Sequence, residues 1–240
     1  MLPAEFVVRD VTSPDELNLC VRLYEDVFHL GPGDGSLNVR LLVGMVRNSG
    51  IVAGAFEGDR MIGFALSFLA WDRARDVHYQ YSQLAVVAEG AQGRGVGRRL
   101  KLAQREASLA MDVAEMRWSF DPFLVRNAHF NLNVLGARAV ALERNLYGTH
   151  AHGLDVPDST DRLLAVWNLA EARDDMKGSS GVTLNVPATS SREPDADARR
   201  RRYEILGAFD DLFARQYVAV SCTLGTNDEA TYDFADTSSS

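Results

Sequence analysis

Residues 92–97 read Gln92-Gly93-Arg94-Gly95-Val96-Gly97, a glycine-rich turn that joins two segments of different periodicity. The preceding segment, Val77–Val87, is rich in Tyr and Val and is typical of a β-strand. The following segment, from Val96 to Val113, repeats apolar residues at helical spacing. Glycines let backbone N–H groups converge without interference from a Cβ, and a helix N-terminus adds partial positive charge. The turn therefore predicts either a phosphate-binding loop or simply a tight strand-to-helix connection.

The spacing of this turn differs from that of two common nucleotide-binding loops. The dinucleotide fingerprint is G-x-G-x-x-G with an acidic residue about 20 positions later at the end of a parallel strand. Here the turn reads G-x-G-x-G, and Asp112 falls inside the predicted helix. A P-loop requires Gly-Lys followed by Ser or Thr, but Gly97 is followed by Arg98-Arg99. Neither nucleotide-binding fold is predicted.

The segments around the turn predict an α/β (α+β) chain with an antiparallel sheet. Gly50–Glu57 and Met61–Trp71 are apolar runs joined by Gly58-Asp59, which is a hairpin signal. Together with Val77–Val87 they predict three consecutive antiparallel strands. Over Glu5–Leu169 the predicted order is one strand, two helices, three strands, a helix, a strand, a helix and two strands.

A change in composition near Ala172 predicts the domain organisation. We expect one domain over residues 1–172, followed by a polar, Gly- and Ser-rich connector over 173–181. Residues 182–224 predict a β-α-β extension that packs on the domain or on a partner subunit. The acidic, Ser-rich end, 225–240, is predicted to be a disordered tail.

The overall composition is that of an ordinary globular protein. The chain has 240 residues, of which 46% are hydrophobic, and 25 Lys and Arg against 33 Asp and Glu give a net charge of −8. An acidic chain is a poor partner for nucleic acid, and neither a long apolar run nor a signal segment occurs. We therefore expect a cytoplasmic protein that binds neither nucleic acid nor membrane.

The charge is distributed unevenly along the sequence. Residues 91–105 contain five basic residues and no acidic one, namely Arg94, Arg98, Arg99, Lys101 and Arg105. This local excess predicts a small anionic ligand at the glycine turn rather than an extended polyanion. The two cysteines, Cys20 and Cys222, are too few for a disulfide framework or a cysteine zinc cluster.

Several motifs resemble those of the Gcn5-related N-acetyltransferase (GNAT) superfamily. Residues 92–97 are similar to its Q/R-x-x-G-x-G/A motif, and the predicted order of elements is similar over Glu5–Leu169. The chain resembles more closely a GNAT group with W-[ST]-F-D-P-L, N-A-x-x-N, Asn-x-Tyr-Gly and Asp-Arg-Leu segments. The corresponding residues here are Trp118-Ser119-Phe120-Asp121-Pro122-Phe123, Asn127-Ala128-His129-Phe130-Asn131, Asn145-Leu146-Tyr147-Gly148 and Asp161-Arg162-Leu163.

This resemblance implies the GNAT fold, a mixed and mostly antiparallel central sheet flanked by helices. It also implies direct acyl transfer from acetyl-CoA or another acyl-CoA to the amine of a small molecule, without a metal, as in enzyme class EC 2.3.1. The strand before the turn would pair with the pantetheine arm, one of its amides would polarise the thioester carbonyl, and it would splay from the next strand. The cofactor-binding residues implied are Leu84, Ala85, Val86, Gln92, Gly93, Arg94, Gly95, Val96, Gly97 and Arg98.

The sequence departs from the superfamily pattern at two catalytic positions. Many members have a general-acid Tyr four residues before the glycine that closes the helix, but counting back from Gly136 gives Leu132. Val77–Val87 also lacks the carboxylate that often acts as a base. A relayed water, another residue or mere positioning of the amine would then support catalysis. The alternative function is a non-catalytic CoA-binding or regulatory module.

Asp121 and Tyr147 are the candidate catalytic residues. Asp121 follows a predicted strand, where it is expected to act as a general base or amine anchor, or else to cap the following turn. Tyr147 is expected at the end of a strand before Gly148, where its phenol would protonate a leaving thiolate, or else pack against the sheet.

Three further polar residues are candidates for binding. Asn127 and Asn131 lie four residues apart and are expected to share a helix face, with Asn127 binding the cofactor and Asn131 the substrate, or with both bonding to loop backbone. Arg162 would bind a substrate carboxylate through two hydrogen bonds, or else pair with Asp158 or Asp161.

The remaining clusters receive structural interpretations. His150, His152 and Asp155 lack the spacing and the further strong ligand of a metal site, so no metal is predicted. Arg199–Arg202 precedes an amphipathic apolar pattern and is predicted to form the polar side of a helix. This helix is the expected contact of a possible homodimer.

Overall fold

An antiparallel meander occupies the first part of the chain in the computed structural model. β1 (Val7–Asp10), β2 (Ile51–Glu57), β3 (Arg60–Asp72) and β4 (Val77–Val87) are hydrogen-bonded in this order. β2 and β3 form the predicted hairpin, and Gly58 in its turn has φ 59°. The prediction of three consecutive antiparallel strands is therefore confirmed.

The structure describes residues 5–31, 37–148, 160–171, 181–187, 196–225 and 229–238. The chain divides into two compact units, Met1–Met116 and Arg117–Ser240. This division falls inside β5 (Glu115–Phe120) and not near Ala172, where the change in composition had indicated a boundary. The predicted connector lies almost entirely outside the described residues.

Three helices cover the sheet of the first unit. α1 (Pro14–Phe28) begins after Ser13, whose side chain accepts a hydrogen bond from the Glu16 amide as an N-cap. α1 and α2 (Val39–Val46) contribute to one apolar core with β2–β4. α3 (Val96–Leu109) contributes to a second core with small residues of β2 and β3. The meander is thus covered by helices on both faces, which fixes the turn before α3 relative to β4.

The second unit contains a sheet with the order β5-β7-β6-β9-β10-β8. The pairings of β6 with β7 and β9, and of β10 with β9 and β8, are antiparallel. The strands after β5 are β6 (Arg138–Glu143), β7 (Arg162–Asn168), β8 (Val182–Pro187), β9 (Tyr217–Leu224) and β10 (Glu229–Asp236).

The helices of the second unit are α4 and α5. α4 (Val125–His129) continues into a π-helical turn, Phe130–Val134, in which the Leu135 amide donates to the Phe130 carbonyl at 3.0 Å. α5 (Ala196–Ala214) belongs to the predicted extension. The extension joins the sheet of this unit, because β9 pairs with β6.

The prediction of a disordered tail over 225–240 is wrong for β10. This strand pairs with both β9 and β8, so the extension is β-α-β-β rather than β-α-β. Tyr232 and Phe234 are fully buried, and the Tyr232 ring lies edge-on to that of Phe209, with 5.2 Å between centroids. The segment forms a strand despite its acidic composition because its apolar residues alternate with polar ones, which places the apolar side chains in the core.

No helix in the described ranges is both long and apolar enough to cross a membrane.

Candidate active site

The glycine turn opens directly into α3. Gly93 and Gly95 have φ 73° and 80°, and a Cβ added to either would meet no atom within 4 Å. Gly95 is the N-cap of α3, and its carbonyl accepts from the Arg99 amide at 3.1 Å. The amides of the first turn, residues 96–98, therefore precede the helical hydrogen-bond ladder. Open space, converging amides and the positive end of the helix dipole suit a phosphate group.

Fewer of the basic residues near the turn are free to bind an anionic ligand than their number in the sequence indicates. Arg94 forms an ion pair with Glu57, and Arg99 donates to the Phe6 carbonyl at 2.9 Å. Lys101 is buried, and burial lowers its pKa to about 7. Arg98 is exposed. The local excess of basic residues therefore overstates the charge available to a ligand, because long-range contacts engage some of these side chains and burial removes another from the surface.

β4 carries a bulge next to the predicted pantetheine-binding residues. Leu84 pairs with Leu66 and Ser82 with Ser67, so Gln83 is the extra residue. A β-bulge locally interrupts strand pairing and redirects the backbone. Leu84 also lines a cleft of about 340 Å³ in the first unit. The other residues that line this cleft are Tyr24, Leu37, Leu41, Met45, Leu66, Phe68 and Gln83.

Ala85 is exposed and Val86 is buried in β4. The predicted cofactor-binding residues thus lie at a strand irregularity beside a largely apolar cleft. The first unit therefore contains a glycine turn whose geometry suits a phosphate group, and an apolar cleft lined by residues of the strand before that turn.

Asp121 directly follows β5 in the second unit. Its carboxylate is buried, and Oδ1 accepts a hydrogen bond from the Phe123 amide at 2.8 Å. Arg202 Nη2 lies 3.7 Å from the same oxygen. Asp121 therefore has the capping role that the sequence left open, together with a charged neighbour that the sequence did not indicate.

Tyr147 lies in the turn after β6 and not at the end of a strand. Its side chain is 45% exposed, and its hydroxyl lies 2.8 Å from Ser119 Oγ. The Arg162 guanidinium stands 5.4 Å from the centre of the Tyr147 ring. A hydroxyl pair of this kind can hold or pass on a proton, because each oxygen is both donor and acceptor.

Arg162 begins β7 and is buried, with Nη1 donating to the Asp161 carbonyl at 3.0 Å. Burial lowers the pKa of Arg162, whereas the charge of Asp121 raises it. Arg202 also acts on it electrostatically. Asp121, Tyr147, Arg162 and Arg202 therefore form one cluster, which we call the Asp121 cluster.

The two asparagines differ in their surroundings. Asn127 is exposed on α4, whereas Asn131 is 3% exposed in the π-helical turn. Within the described parts of the chain, Asn131 Nδ2 is buried without a hydrogen-bond partner. The two side chains therefore do not share a helix face, although the sequence had predicted that they would. Asn127 is exposed and Asn131 is buried, because the regular helix ends between them at His129. Of the two, Asn131 has the buried donor that a ligand could satisfy.

Arg202 is the residue that the sequence analysis missed. Arg199, Arg200 and Arg201 are exposed as predicted, but the Arg202 side chain is only 12% exposed. Its guanidinium lies 3.9 Å from the centre of the Phe123 ring. The sequence does contain a sign that Arg202 is buried. Arg202 lies on the same helix face as the apolar residues Ile205, Leu206 and Phe209, which are buried.

Among the described residues, no group of His, Cys, Asp and Glu is arranged to hold a metal ion. His150, His152 and Asp155 lie outside those residues. Cys20 and Cys222 are free and buried, and burial raises the pKa of each thiol to about 12. A thiol with this pKa stays protonated at neutral pH and is a poor nucleophile.

Solved structures of acetyltransferases share this fold. A Desulfovibrio desulfuricans protein assigned to the GNAT family of acetyltransferases matches with a TM-score of 0.54 and 16% identity, over 69% of this chain and all of the other. The ribosomal-protein-S18-alanine N-acetyltransferase of Escherichia coli matches with 0.54 and 15%, over 71% and 98%. A Salmonella typhimurium protein assigned as an acetyltransferase, solved with its cofactor acetyl-CoA, matches with 0.54 and 16%, over 72% and 99%.

These matches establish the class of fold. The chain has the GNAT acetyltransferase fold, a mixed α/β structure with a mostly antiparallel sheet flanked by helices, and the predicted fold class is confirmed. The sequence itself matches no protein-family model and no curated protein. The three solved chains are covered almost completely, whereas more than a quarter of this chain extends beyond the match.

Proposed function

We propose that the protein is an acyl-CoA-dependent N-acyltransferase, most simply an acetyltransferase, that acylates the amine of a small molecule by direct attack in a ternary complex. The observation that carries the proposal is the open glycine turn at the N-terminus of α3, within a GNAT fold. The acetyl-CoA-bound structure from Salmonella typhimurium, which has the same fold, supports the choice of donor.

The first unit would bind the donor. Gln92, Gly93, Gly95, Val96 and Gly97 would hold its pyrophosphate through backbone amides, with Arg98 adding charge. Acyl-CoA would supply the acyl group as a thioester. The amides of Leu84–Val86 would pair with the pantetheine arm and polarise the carbonyl, which fits the bulge at Gln83.

Arg94 and Asn127 have secondary roles in this proposal. Arg94 pairs with Glu57 and would adjust its position when the turn is filled. Asn127 is exposed on α4 and would donate its side-chain amide to the cofactor. The contribution of each is expected to be smaller than that of the glycine backbone, because exposed contacts exchange with water.

The second unit would bind and activate the acceptor. Asp121 would attract the acceptor's ammonium group and accept its proton at a carboxylate oxygen. Tyr147 would hold a proton at its hydroxyl, positioned by Ser119, for the leaving thiolate. Asn131 and Arg162 would bind other polar groups of the acceptor.

A thiol-release assay with acetyl-CoA and a panel of amines tests the proposal. Saturable turnover is expected for wild type and is expected to be lost in Gly95→Glu, which puts a negative charge where phosphate would bind. Gly181→Glu is the matched control, because Gly181 also has positive φ (66°) and open space. No acyl-CoA binding by calorimetry in the folded wild type would refute the proposal.

A non-catalytic CoA-binding module is the second candidate. The buried Leu132 favours it, since this side chain has no proton to donate at the position of the usual general acid. It predicts calorimetric CoA binding that depends on Gly95, with no thiol release for any amine in the panel.

A further inference from the structure

The guanidinium of Arg202 has an unsatisfied edge. Its Nε and Nη2 are both buried, and neither makes a hydrogen bond within the described portion of the chain. The nearest acid, Asp121 Oδ1, lies 3.7 Å from Nη2, which suits an ion pair but is too long for a hydrogen bond. Buried donors of a charged group that lack acceptors are costly and uncommon in native proteins. We therefore expect a bound group to supply the hydrogen-bond acceptors that Nε and Nη2 lack.

The geometry of the edge specifies what kind of acceptor fits. The N–H groups of Nε and Nη2 project in parallel from one side of the planar guanidinium, and a carboxylate accepts both at once. The ring of Phe123, 3.9 Å from the Arg202 Cζ, holds the plane in place through a cation–π contact. Asp121 is already engaged through Oδ1 with the Phe123 amide.

The surroundings of the Arg202 edge favour an anionic acceptor group. The guanidinium of Arg202 lies beside the carboxylate of Asp121, and Arg162 belongs to the same cluster. All three side chains are largely excluded from water. The pKa of Arg162 responds to both Asp121 and Arg202, which is consistent with close electrostatic contact. A bound carboxylate would supply the two acceptor atoms that the buried edge of Arg202 lacks, at much lower cost than leaving those donors unsatisfied.

We propose that the acceptor is an amino carboxylate, such as a free amino acid, whose carboxylate is bound by the Nε and Nη2 edge of Arg202. Asp121 then binds the ammonium group of the same molecule. This inference rests on the proposed function and specifies its acceptor. It also gives the C-terminal extension a role, because α5 supplies a residue that binds the substrate.

Two binding measurements test the proposal without relying on turnover. The probes are the α-amino acids and, as neutral controls, the corresponding amino acid amides, titrated calorimetrically with CoA present and with CoA absent. At least one amino acid is expected to bind the wild type more tightly than its amide. Arg202→Gln is expected to weaken that binding roughly tenfold to a hundredfold and to leave amide binding unchanged, as loss of a charged hydrogen-bonded pair would do.

Arg202→Lys and Arg201→Gln complete the series. The lysine variant keeps the charge but loses the paired N–H edge, so intermediate binding is expected if that edge matters. Arg201 is exposed on the same helix, and its substitution is expected to have no effect. Circular dichroism and melting curves verify that each variant is folded.

The outcomes separate this inference from the proposed function. Equal binding of acids and amides, or binding unaffected in Arg202→Gln, would overturn it even in an active acyltransferase, as would the absence of binding by every probe. Binding of amino acids that depends on Arg202, without thiol release, would support it while counting against the proposed activity.

Discussion

Lys101 Nζ donates a 2.7 Å hydrogen bond to Ser82 Oγ inside the first unit. Ser82 Oγ in turn donates to Gln104 Oε1 at 3.1 Å, and Met116 Sδ lies 4.0 Å from Nζ. Burial lowers the pKa of Lys101 from 10.5 to about 7. An amine that is removed from water loses its proton more easily, because the charged form is poorly solvated.

This lysine predicts a pH dependence of stability. Between about pH 7 and pH 10.5 the unfolded chain holds a proton that the folded chain has released, so the free energy of unfolding rises with pH. The contribution of Lys101 is at most about 1.4 kcal/mol per pH unit. Lys101→Met is expected to be more stable than wild type near pH 7, with the difference shrinking toward pH 9. Urea denaturation at several pH values measures the free energy of unfolding of both proteins. If this free energy changes with pH in the same way in both, the lowered pKa of Lys101 is contradicted.

Asp121→Asn is expected to reduce kcat by roughly 10²–10⁴-fold, because an amide cannot accept the proton of the acceptor. Asn can still accept the hydrogen bond from the Phe123 amide, so the turn is expected to keep its structure. Steady-state kinetics with the best amine of the panel, and a melting curve on the same sample, separate the two effects. An unchanged kcat would show that Asp121 is not the general base.

Tyr147→Phe is expected to lower kcat with little change in stability, because the ring is 45% exposed and only the bond to Ser119 is lost. Tyr203→Phe is the matched control, since Tyr203 is also exposed and has an arginine, Arg144, 5.5 Å from its ring centre. Comparison of kcat for the two variants is the measurement. Equal kcat values would remove Tyr147 from the proposed mechanism.

Truncation after Gly225 is expected to lower solubility and the Tm sharply. It removes β10, the strand that pairs with β9 and β8, together with the buried Tyr232 and Phe234. It also removes the 2.7 Å hydrogen bond from Tyr232 to the Pro122 carbonyl. A shorter deletion of residues 237–240 spares the strand and is the control. Equal stability of the two truncated proteins would show that β10 is dispensable.

The turn before α3 is a feature that residues close together in the sequence are enough to predict. Its glycines predicted a turn between a strand and a helix, and α3 does begin directly after Gly95. The N-cap at Ser13, where α1 begins, is a local feature of the same kind. These features depend on steric limits and hydrogen bonds among residues a few positions apart, which the sequence displays directly. The same holds for the hairpin at Gly58.

At three places the local composition of the sequence indicates exposed residues, whereas packing against distant residues buries them. β10 was hidden by its acidic residues, although its apolar residues alternate. Lys101 contributes to the local excess of basic residues in the sequence, although its side chain is buried. Arg202 is predicted to lie on the polar side of a helix because it ends a run of four arginines before an amphipathic pattern, but its side chain is largely buried.

The sequence by itself determined the order of the elements, the caps, the glycine turn and the fold class, because each follows from interactions between near neighbours or from apolar periodicity. Only the tertiary structure decided which charges are buried and which groups they meet. Asp121 and Arg202 are separated by 81 positions and stand 3.7 Å apart. Whether a charge is solvated or desolvated depends on such distant partners, and hence the chemistry of the Asp121 cluster became visible only in the folded chain.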